Sequence, residues 1–447
     1  MKLHDALASV AKCPWPETLD SFQARIDPVW IHEALAATGT ASMRRRRLPA
    51  NQVIWLVIGM ALVRDRCIVE VAETLNIALP GPRGPTISSS AVTKARARLG
   101  EEPMKWLFET CATQWAHTSA AALRWKGLAL YGVDGTTLRV PDSAENRASF
   151  GLPNGGPRGE AGYPQVRLAA LMALSSRLIA STSFGSFKVA EQTLARDLWS
   201  QLPDQCLCIL DRGFLGADTL LTLSGSGNGR NWLIRAKKNA KWRAIKQLGP
   251  NDYLVEMKVS PEARKKNPSL PEQFVLRALR YQRKGFEPHW LLTSLLDARI
   301  YPAREVAELY HERWELELGF DEIKTEMLDR EEAIRSQSPE RIRQEIWGIL
   351  LAYNLVRLEM ERIADEAGVP PARVSFIMSL HLICDEWFFD AAASPGAIPR
   401  HLRNLRAKVK RFILPPRRSE RRYPRAVKIK MSSYPRKRRP PTGGSAK

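Results

Sequence analysis

The sequence predicts an α/β protein: a mixed sheet flanked by helices, entered through an N-terminal helical block and interrupted by a β-rich segment. Three observations predict it. Apolar residues recur at helical spacing through about the first 115 positions. From Trp125 the period changes to alternation, with short apolar runs broken by Gly- and Pro-bearing turns. After Pro302 the helical period returns and holds through two long segments.

In order, Pro28 to Ala37 is short and amphipathic, with Asp27 placed to cap it and Pro28 suited to its first turn. Past the basic run Arg44 to Arg47, LPANQVIWLVIGMALVRD makes a long helix and Ile68 to Leu75 a second. The loop LPGPRGPTI leads into SSSAVTKARARLG. There Ser88 to Ser90 offer an N-cap, Lys94, Arg96 and Arg98 supply positive charge, and Gly100 closes the helix. This order suits either a helix-turn-helix DNA-binding module or one that packs or dimerises.

GLALYGVDGTTLRV is a strand expected to stop at Asp134 in a Gly-bearing turn, and QVRLAALMAL and LIASTSFG add two more. Between them SAENRASFGLPNGGPRGEAGY reads as a surface loop. Glu191 to Leu202 reads as a helix, CLCILDRGF as a short buried strand ending at Asp211, and Ala217 to Leu223 as another helix. NWLIRAKK, YLVEMKV, QFVLRALRY and HWLLTSLL are four strands of the β-rich segment. A helix from Pro302 to about Leu328 follows, then RIRQEIWGILLAYNLVRLEMERIADEAG, an apolar-faced helix expected to lie on the same sheet. Arg373 to Leu382 and short segments to about Leu405 look helical, whereas the chain beyond Pro415 is too poor in apolar residues for a core and is expected to be disordered when free. The division is therefore a helical domain over 1–120, a catalytic domain over 125–223 and 300–365, a β-rich insertion over 224–299, a helical region over 366–412 and a basic tail over 413–447.

Composition narrows the function. A net charge of +21 and a pI near 10.0 call for a polyanionic partner, most simply nucleic acid. From His401 to Lys447 there are 17 Lys and Arg against one acid, Glu420, so the body carries only about +5. The six cysteines form no CxxC pair; Cys206 and Cys208 alternate in a strand and are expected to share a buried face. That pattern fits neither a disulfide framework nor a zinc site and points to the reducing cytoplasm. The N-terminus has no signal-peptide core, and the longest apolar run, Val53 to Val63, is too short for a bilayer, so no membrane role is expected.

Two aspartates at strand ends, Asp134 and Asp211, precede the helix carboxylate Glu317. Each aspartate alone is more often a turn former than a catalytic residue. Together, carboxylates at the ends of neighbouring strands converge on the sheet edge where sites form, and a packed helix can bring a third. Three carboxylates without a His or Cys cluster favour magnesium or manganese, and a two-ion site of this kind can activate a water or a 3′-hydroxyl while stabilising the leaving oxygen. On an ideal helix Tyr310, Arg313, Glu317 and Lys324 fall at roughly 0°, 300°, 340° and 320°, a stripe about 60° wide. A stripe of that kind is either a solvated face with an Arg313–Glu317 pair or a site for metal and phosphate; Asp321, at roughly 20°, could contest the place of Glu317. No P-loop, GxSxG elbow, HExxH or aspartyl-phosphatase pattern is present.

VDGTT around Asp134, LDRGF around Asp211 and the spacing Y-x2-R-x3-E-x6-K from Tyr310 to Lys324 resemble the DDE transposases of the insertion-sequence-four family. HWLLTSLLD, SPERIRQEIWGILLAYNLVR and the N-terminal helical block are similar to it too, so the likeness spans about residues 30 to 410. It implies a ribonuclease-H-like catalytic fold with a β-rich insertion before the Glu, two divalent ions, dimeric synapsis of transposon ends and cut-and-paste transfer into target DNA. Asp134, Asp211 and Glu317 would be the catalytic metal ligands, and Tyr310, Arg313 and Lys324 would bind phosphates beside the cleaved bond. Relatives that form hairpins stack an insertion-domain aromatic on a flipped base; Trp290 is the candidate here, with Trp232 and Trp242 as rivals. The expectation is a magnesium- or manganese-dependent transposase, homodimeric on double-stranded DNA and associated with the nucleoid. A nuclease of the same fold without strand transfer and a catalytically silent DNA-binding regulator are the alternatives.

Overall fold

The computed structural model describes residues 26–41, 48–75, 87–153, 162–282, 287–328, 334–389 and 398–416. The run Arg44–Arg47, most of LPGPRGPTI, the middle of the Gly-rich loop and the tail past residue 416 lie outside the described residues. Among those described, nine strands form one sheet: β1 Ala129–Arg139, β2 Gln165–Ala173, β3 Ile179–Ser186, β4 Cys206–Leu210, β5 Arg230–Arg235, β6 Arg243–Gly249, β7 Asp252–Lys258, β8 Gln273–Tyr281 and β9 His289–Thr293. Their order is β3-β2-β1-β4-β5-β9-β8-β7-β6.

The first three strands are antiparallel neighbours, while β4 runs parallel to β1 and β5 parallel to β4. This order and these directions are those of a ribonuclease-H-like sheet. β9 joins β5 antiparallel, and β8, β7 and β6 follow, so the β-rich segment extends the same sheet at its edge. Four of these last five strands were legible as alternating runs. β6 was not, because most of its residues are exposed and no apolar alternation marks it.

Alternation along the strands divides the side chains between two cores. Tyr131, Val133, Cys206, Cys208, Leu210 and Trp232 pack with Leu194, Trp199, Leu220 and Leu223 on one face. Leu168, Ala170, Met172, Leu207, Ile209 and Leu233 pack on the other, beneath the N-terminal helices and the helices after Ala303. Cys206 and Cys208 thus share a buried face as expected. β4 is buried along its whole length, as a parallel strand covered on both sides must be.

The N-terminal helices Pro28–Ala37, Ala50–Leu62, Ile68–Thr74 and Ser89–Leu99 follow the sequence reading closely. Asp27 caps the first through the amide of Val29 at 2.9 Å, and Ser88 caps the fourth through that of Ala91 at 3.2 Å. Gly100 ends that helix with φ 68°, a conformation that favours glycine. Helix Glu102–Ala122 then crosses to the sheet, where Thr113 donates to the carbonyl of Ala180 on β3 at 3.2 Å. Of the cations read on Ser89–Leu99, Lys94 and Arg98 are exposed but Arg96 is buried. Its guanidinium donates to Gln344 Oε1 and Ser336 Oγ, each at 2.9 Å, so it fastens this helix to Pro339–Ala367 and offers no charge to solvent.

Two other readings are corrected. The segment after β1 is not all loop: Ala144–Phe150 is a helix, capped by Ser143 through the amide of Asn146 at 3.1 Å and closed by Gly151 at φ 76°. The strand carrying Asp134 does not stop there. It continues to Arg139, because antiparallel pairing with β2 persists from Asp134↔Ala170 to Arg139↔Gln165 and Thr136 and Thr137 favour extended backbone.

Helix Pro339–Ala367 is buried along much of its length. Its Trp347 packs on Phe108 and Phe184, with ring centroids 5.3 and 4.7 Å away. Asn354 brackets Ile179 of β3, accepting from its amide and donating to its carbonyl, both at 2.9 Å. Helices Phe376–Phe389 and Ile398–Val409 follow. Arg406 reaches Glu359 at 2.7 Å and Lys410 reaches Glu366 at 2.8 Å, so some C-terminal cations anchor the chain to this helix. Among the described residues no helix is long and apolar enough to cross a membrane.

Candidate active site

The site begins with strand register. Parallel pairing between β1 and β4 ends at Val133↔Leu210, so the residues that follow, Asp134 and Asp211, emerge side by side at one sheet edge. Asp134 Oδ1 accepts from the amide of Gly135 at 2.9 Å, and Asp211 Oδ2 accepts from that of Gly213 at 3.2 Å. Asp134 is largely buried, and burial pushes its carboxyl up to about 6. Asp211 and Glu317 nearby push in the same direction, while the Gly135 amide and Arg313 oppose them.

The third carboxylate arrives on a helix whose winding differs from the ideal one assumed in the sequence reading. Ala303–Leu309 is α-helical, Tyr310–Arg313 tightens to a 3₁₀ turn, Trp314–Asp321 is α-helical again, and Glu322–Met327 widens to a π turn. A constant 100° per residue therefore misplaces the ends of the polar stripe; departures of this kind concentrate at functional sites. Gly132 brings the helix close: a Cβ there would lie 2.7 Å from Cδ1 of Leu316, so a side chain at this position would have to displace Leu316.

Arg313 joins the parts. Its guanidinium donates to Glu317 Oε1 at 2.7 Å and lies 3.7 Å from Asp134 Oδ2, linking the helix carboxylate to the strand carboxylate. The same guanidinium sits over the ring of Trp314, 5.4 Å from its centroid. Tyr310 is buried, and that burial, helped by Asp211, pushes its phenol up to about 12. Lys324, in the π turn, donates from Nζ to Thr136 Oγ1 at 3.2 Å, two residues past Asp134. Asp321 is exposed and accepts from Thr325 Oγ1 at 2.8 Å, whereas Glu317 accepts from Arg313.

Behind the helix lies a network that the sequence reading missed. Arg177, in the β2–β3 turn at φ 61°, donates from Nε to Glu315 at 2.7 Å and pairs with Glu322. Tyr353 donates to Glu322 Oε2 at 2.9 Å, and Arg357 lies 3.7 Å from Glu322. Both acids are buried, and residues seven apart share one helix face, so the pair fixes the helix to the sheet from the side opposite the site. Glu191 was missed as well. It opens the short helix Glu191–Ala195 and lies against Gly135, where burial and the neighbouring Asp134 push its carboxyl up to about 7. A lone acid at a helix start carries no distinguishing sequence signal.

Trp290 is half-buried on β9, edge-on to Trp242 with centroids 5.4 Å apart and tilted against Tyr253 at 6.0 Å. Trp232 is 2 % exposed in the sheet core, which removes it as a rival platform for a base.

The donor set suits a hard cation: carboxylate oxygens crowd one edge, and a positively charged guanidinium already bridges two of them. Among the described residues, no three Asp, Glu, His or Cys side chains are gathered closely enough to enclose an ion, and Glu317 is turned to Arg313.

A ribonuclease-H-like sheet with acids at this edge is a frame shared by enzymes that act on nucleic-acid strands by phosphoryl transfer. A family model described as "Transposase DDE domain" matches residues 126–355, and one described as "Insertion element 4 transposase N-terminal" matches residues 16–109. Transposase InsG for insertion sequence element IS4 of Escherichia coli (strain K12) is 40% identical over 420 residues, covering 93% of this chain and 93% of that protein. The cryo-EM structure of a piggyBac transposase synaptic complex with hairpin DNA aligns at TM-score 0.43 and 12% identity, over 91% of this chain and 87% of that one. The chain belongs to the insertion-sequence-four family of DDE transposases. It is a cut-and-paste transposase that binds DNA, cleaves it and transfers strands, with the divalent-metal dependence of the DDE domain.

Proposed function

We propose that Asp134, Asp211 and Glu317 hold two magnesium or manganese ions, and that Tyr310, Arg313 and Lys324 hold the phosphates flanking the bond to be cut at the transposon ends. The observation that carries this reading is the Arg313 bridge, because a single cation reaches both Asp134 and Glu317. Bound ions would supply the activated oxygen nucleophile and the stabilised leaving oxygen of an in-line displacement. Asp134 and Asp211, fixed by strand register, set the rigid side of the site. Glu317 would complete it from the helix on leaving Arg313. Arg313, so released, can turn its guanidinium fork to a phosphate, the anion its geometry suits. Tyr310 stays a neutral phenol near pH 7, since it is pushed up to about 12, and donates a hydrogen bond without adding negative charge beside DNA. Lys324 is held near the Asp134 segment by Thr136, within reach of the same backbone.

The reading extends to a homodimer that pairs two transposon ends and inserts them in target DNA, in the cytoplasm and on the nucleoid. It keeps the divisions 1–120, 125–223 with 300–365, 224–299, 366–412 and 413–447 as functional units. Purified protein with end DNA and magnesium is expected to release a 3′-hydroxyl strand, to stop on chelation and to resume when the ion is restored. Cleavage that continues in chelator would sink the ion assignment. Holding an ion also requires Asp134 to give up its proton. With that carboxyl raised to about 6, ion affinity is retained above this pH and lost as pH falls through it, by about tenfold per unit for one competing proton. A titration with manganese between pH 5 and 8, a window set by about one to two units either side of that value, reads the slope.

Trp290 and its aromatic neighbours on the extended sheet are the proposed platform for a flipped base, an interaction worth about 1–3 kcal/mol. Trp290→Ala is expected to deplete a hairpin intermediate on labelled end DNA. Normal accumulation removes Trp290 from the mechanism.

A further inference from the structure

Glu191 opens the first helix after β3, and the fold lays it against Gly135 of β1, next to Asp134. A Cβ on Gly135 would sit 2.4 Å from Cδ of Glu191, 2.5 Å from Cγ and 2.8 Å from Oε2, so any side chain at 135 would evict this carboxyl. The next residue, Gln192, donates from Nε2 to the carbonyl of Gly213 at 3.4 Å, two residues past Asp211. One short helix therefore docks on both segments that carry the strand aspartates. Positive charges at this acidic edge include Arg313, 3.7 Å from Asp134, Lys324, held on Thr136 at 3.2 Å, and Arg167 of β2, which acts on Glu191 while donating to the Val189 carbonyl at 3.1 Å. Two guanidinium groups and one ammonium thus stand against four carboxylates at a partly buried edge, a deficit of positive charge that a divalent ion would meet.

We propose that Glu191 is a fourth carboxylate of the ion-binding site, acting with Asp134 across the space that Gly135 leaves open. The proposal rests on the assignment of Asp134 as an ion ligand. Its geometry explains why a strand-forming stretch carries glycine next to that aspartate: the Cβ of any other residue would push Glu191 out of the cleft. Glu191 then adds a negative oxygen from a third direction, besides the strand edge and the Glu317 helix.

The test is calorimetric titration of the full-length protein with manganese in the absence of DNA, beside thermal melting without metal to show that each variant is folded. Glu191→Gln is expected to weaken manganese binding by about 10–100-fold, the range for ligand-supporting groups, with metal-free melting no lower than that of the parent protein. Gly135→Ala should give the same loss from the opposite side of the contact. Cleavage of end DNA by Glu191→Gln should be recovered at raised manganese, which a merely structural defect would not show. If Glu191→Gln or folded Gly135→Ala binds manganese within about twofold of the parent while Asp134→Asn does not, the role of Glu191 is overturned and the three-carboxylate reading stands. If Asp134→Asn also keeps its affinity, both fall.

Discussion

Asp134→Asn and Glu317→Gln are each expected to lower strand cleavage by at least about 10³-fold while end binding is kept, because an ion stabilising the transition state is worth several kcal/mol and each 1.4 kcal/mol is tenfold. Both substitutions preserve shape and remove one negative charge. End affinity should therefore hold or rise slightly, since phosphate contacts dominate it and a carboxylate beside them repels DNA. The two differ in what they leave behind. Asn at 134 keeps the register of β1 and β4 but removes the group that Arg313 faces at 3.7 Å. Gln at 317 breaks the ion pair on the helix and leaves Arg313 to Asp134 alone. Labelled end DNA incubated with magnesium, read for nicks and for binding on the same samples, separates the outcomes. Full cleavage by both variants would show that these acids are not ligands, and loss of binding in step with cleavage would make them structural.

The parts of this site that were legible in the sequence are those whose signal is local. Strand alternation located Asp134 and Asp211 on neighbouring strands, and the fixed spacing from Tyr310 to Lys324 marked the helix. Arg313 and Glu317 were paired by their four-residue offset, and the structure shows that pair. What escaped depends on contacts between distant segments. Glu191 is set by the docking of a short helix on Gly135, Thr136 by the reach of Lys324, and the burial of Arg96 by Gln344 and Ser336. The helix wheel failed where winding departs from the ideal, at Tyr310–Arg313 and Glu322–Met327. β1 ran past the predicted turn because β2 supplied pairing that the DGTT stretch alone does not reveal.

The deepest of these long-range contacts should also be the most costly to break. Arg177→Met would leave Glu315 and Glu322 buried without their main cation, and removing one partner from a buried ion pair costs about 3–5 kcal/mol. Arg177 holds a left-handed backbone, φ 61°, a conformation that non-glycine residues keep only where their surroundings demand it. Glu315 sits in the first turn of the Trp314–Asp321 helix, so that end loses the cation that ties it to the β2–β3 turn. That end carries Glu317. Denaturant melts should show the stability loss, and cleavage below the melting point should fall further than the unfolded fraction explains, because Arg313 and Glu317 lose their fixed frame. Adding Glu315→Gln to Arg177→Met should recover much of the stability, since Glu322 keeps the Arg357 guanidinium 3.7 Å away. If the single variant instead costs less than about 1 kcal/mol, the network is not what fixes this helix, and the packing of Leu316 against Gly132 must do so.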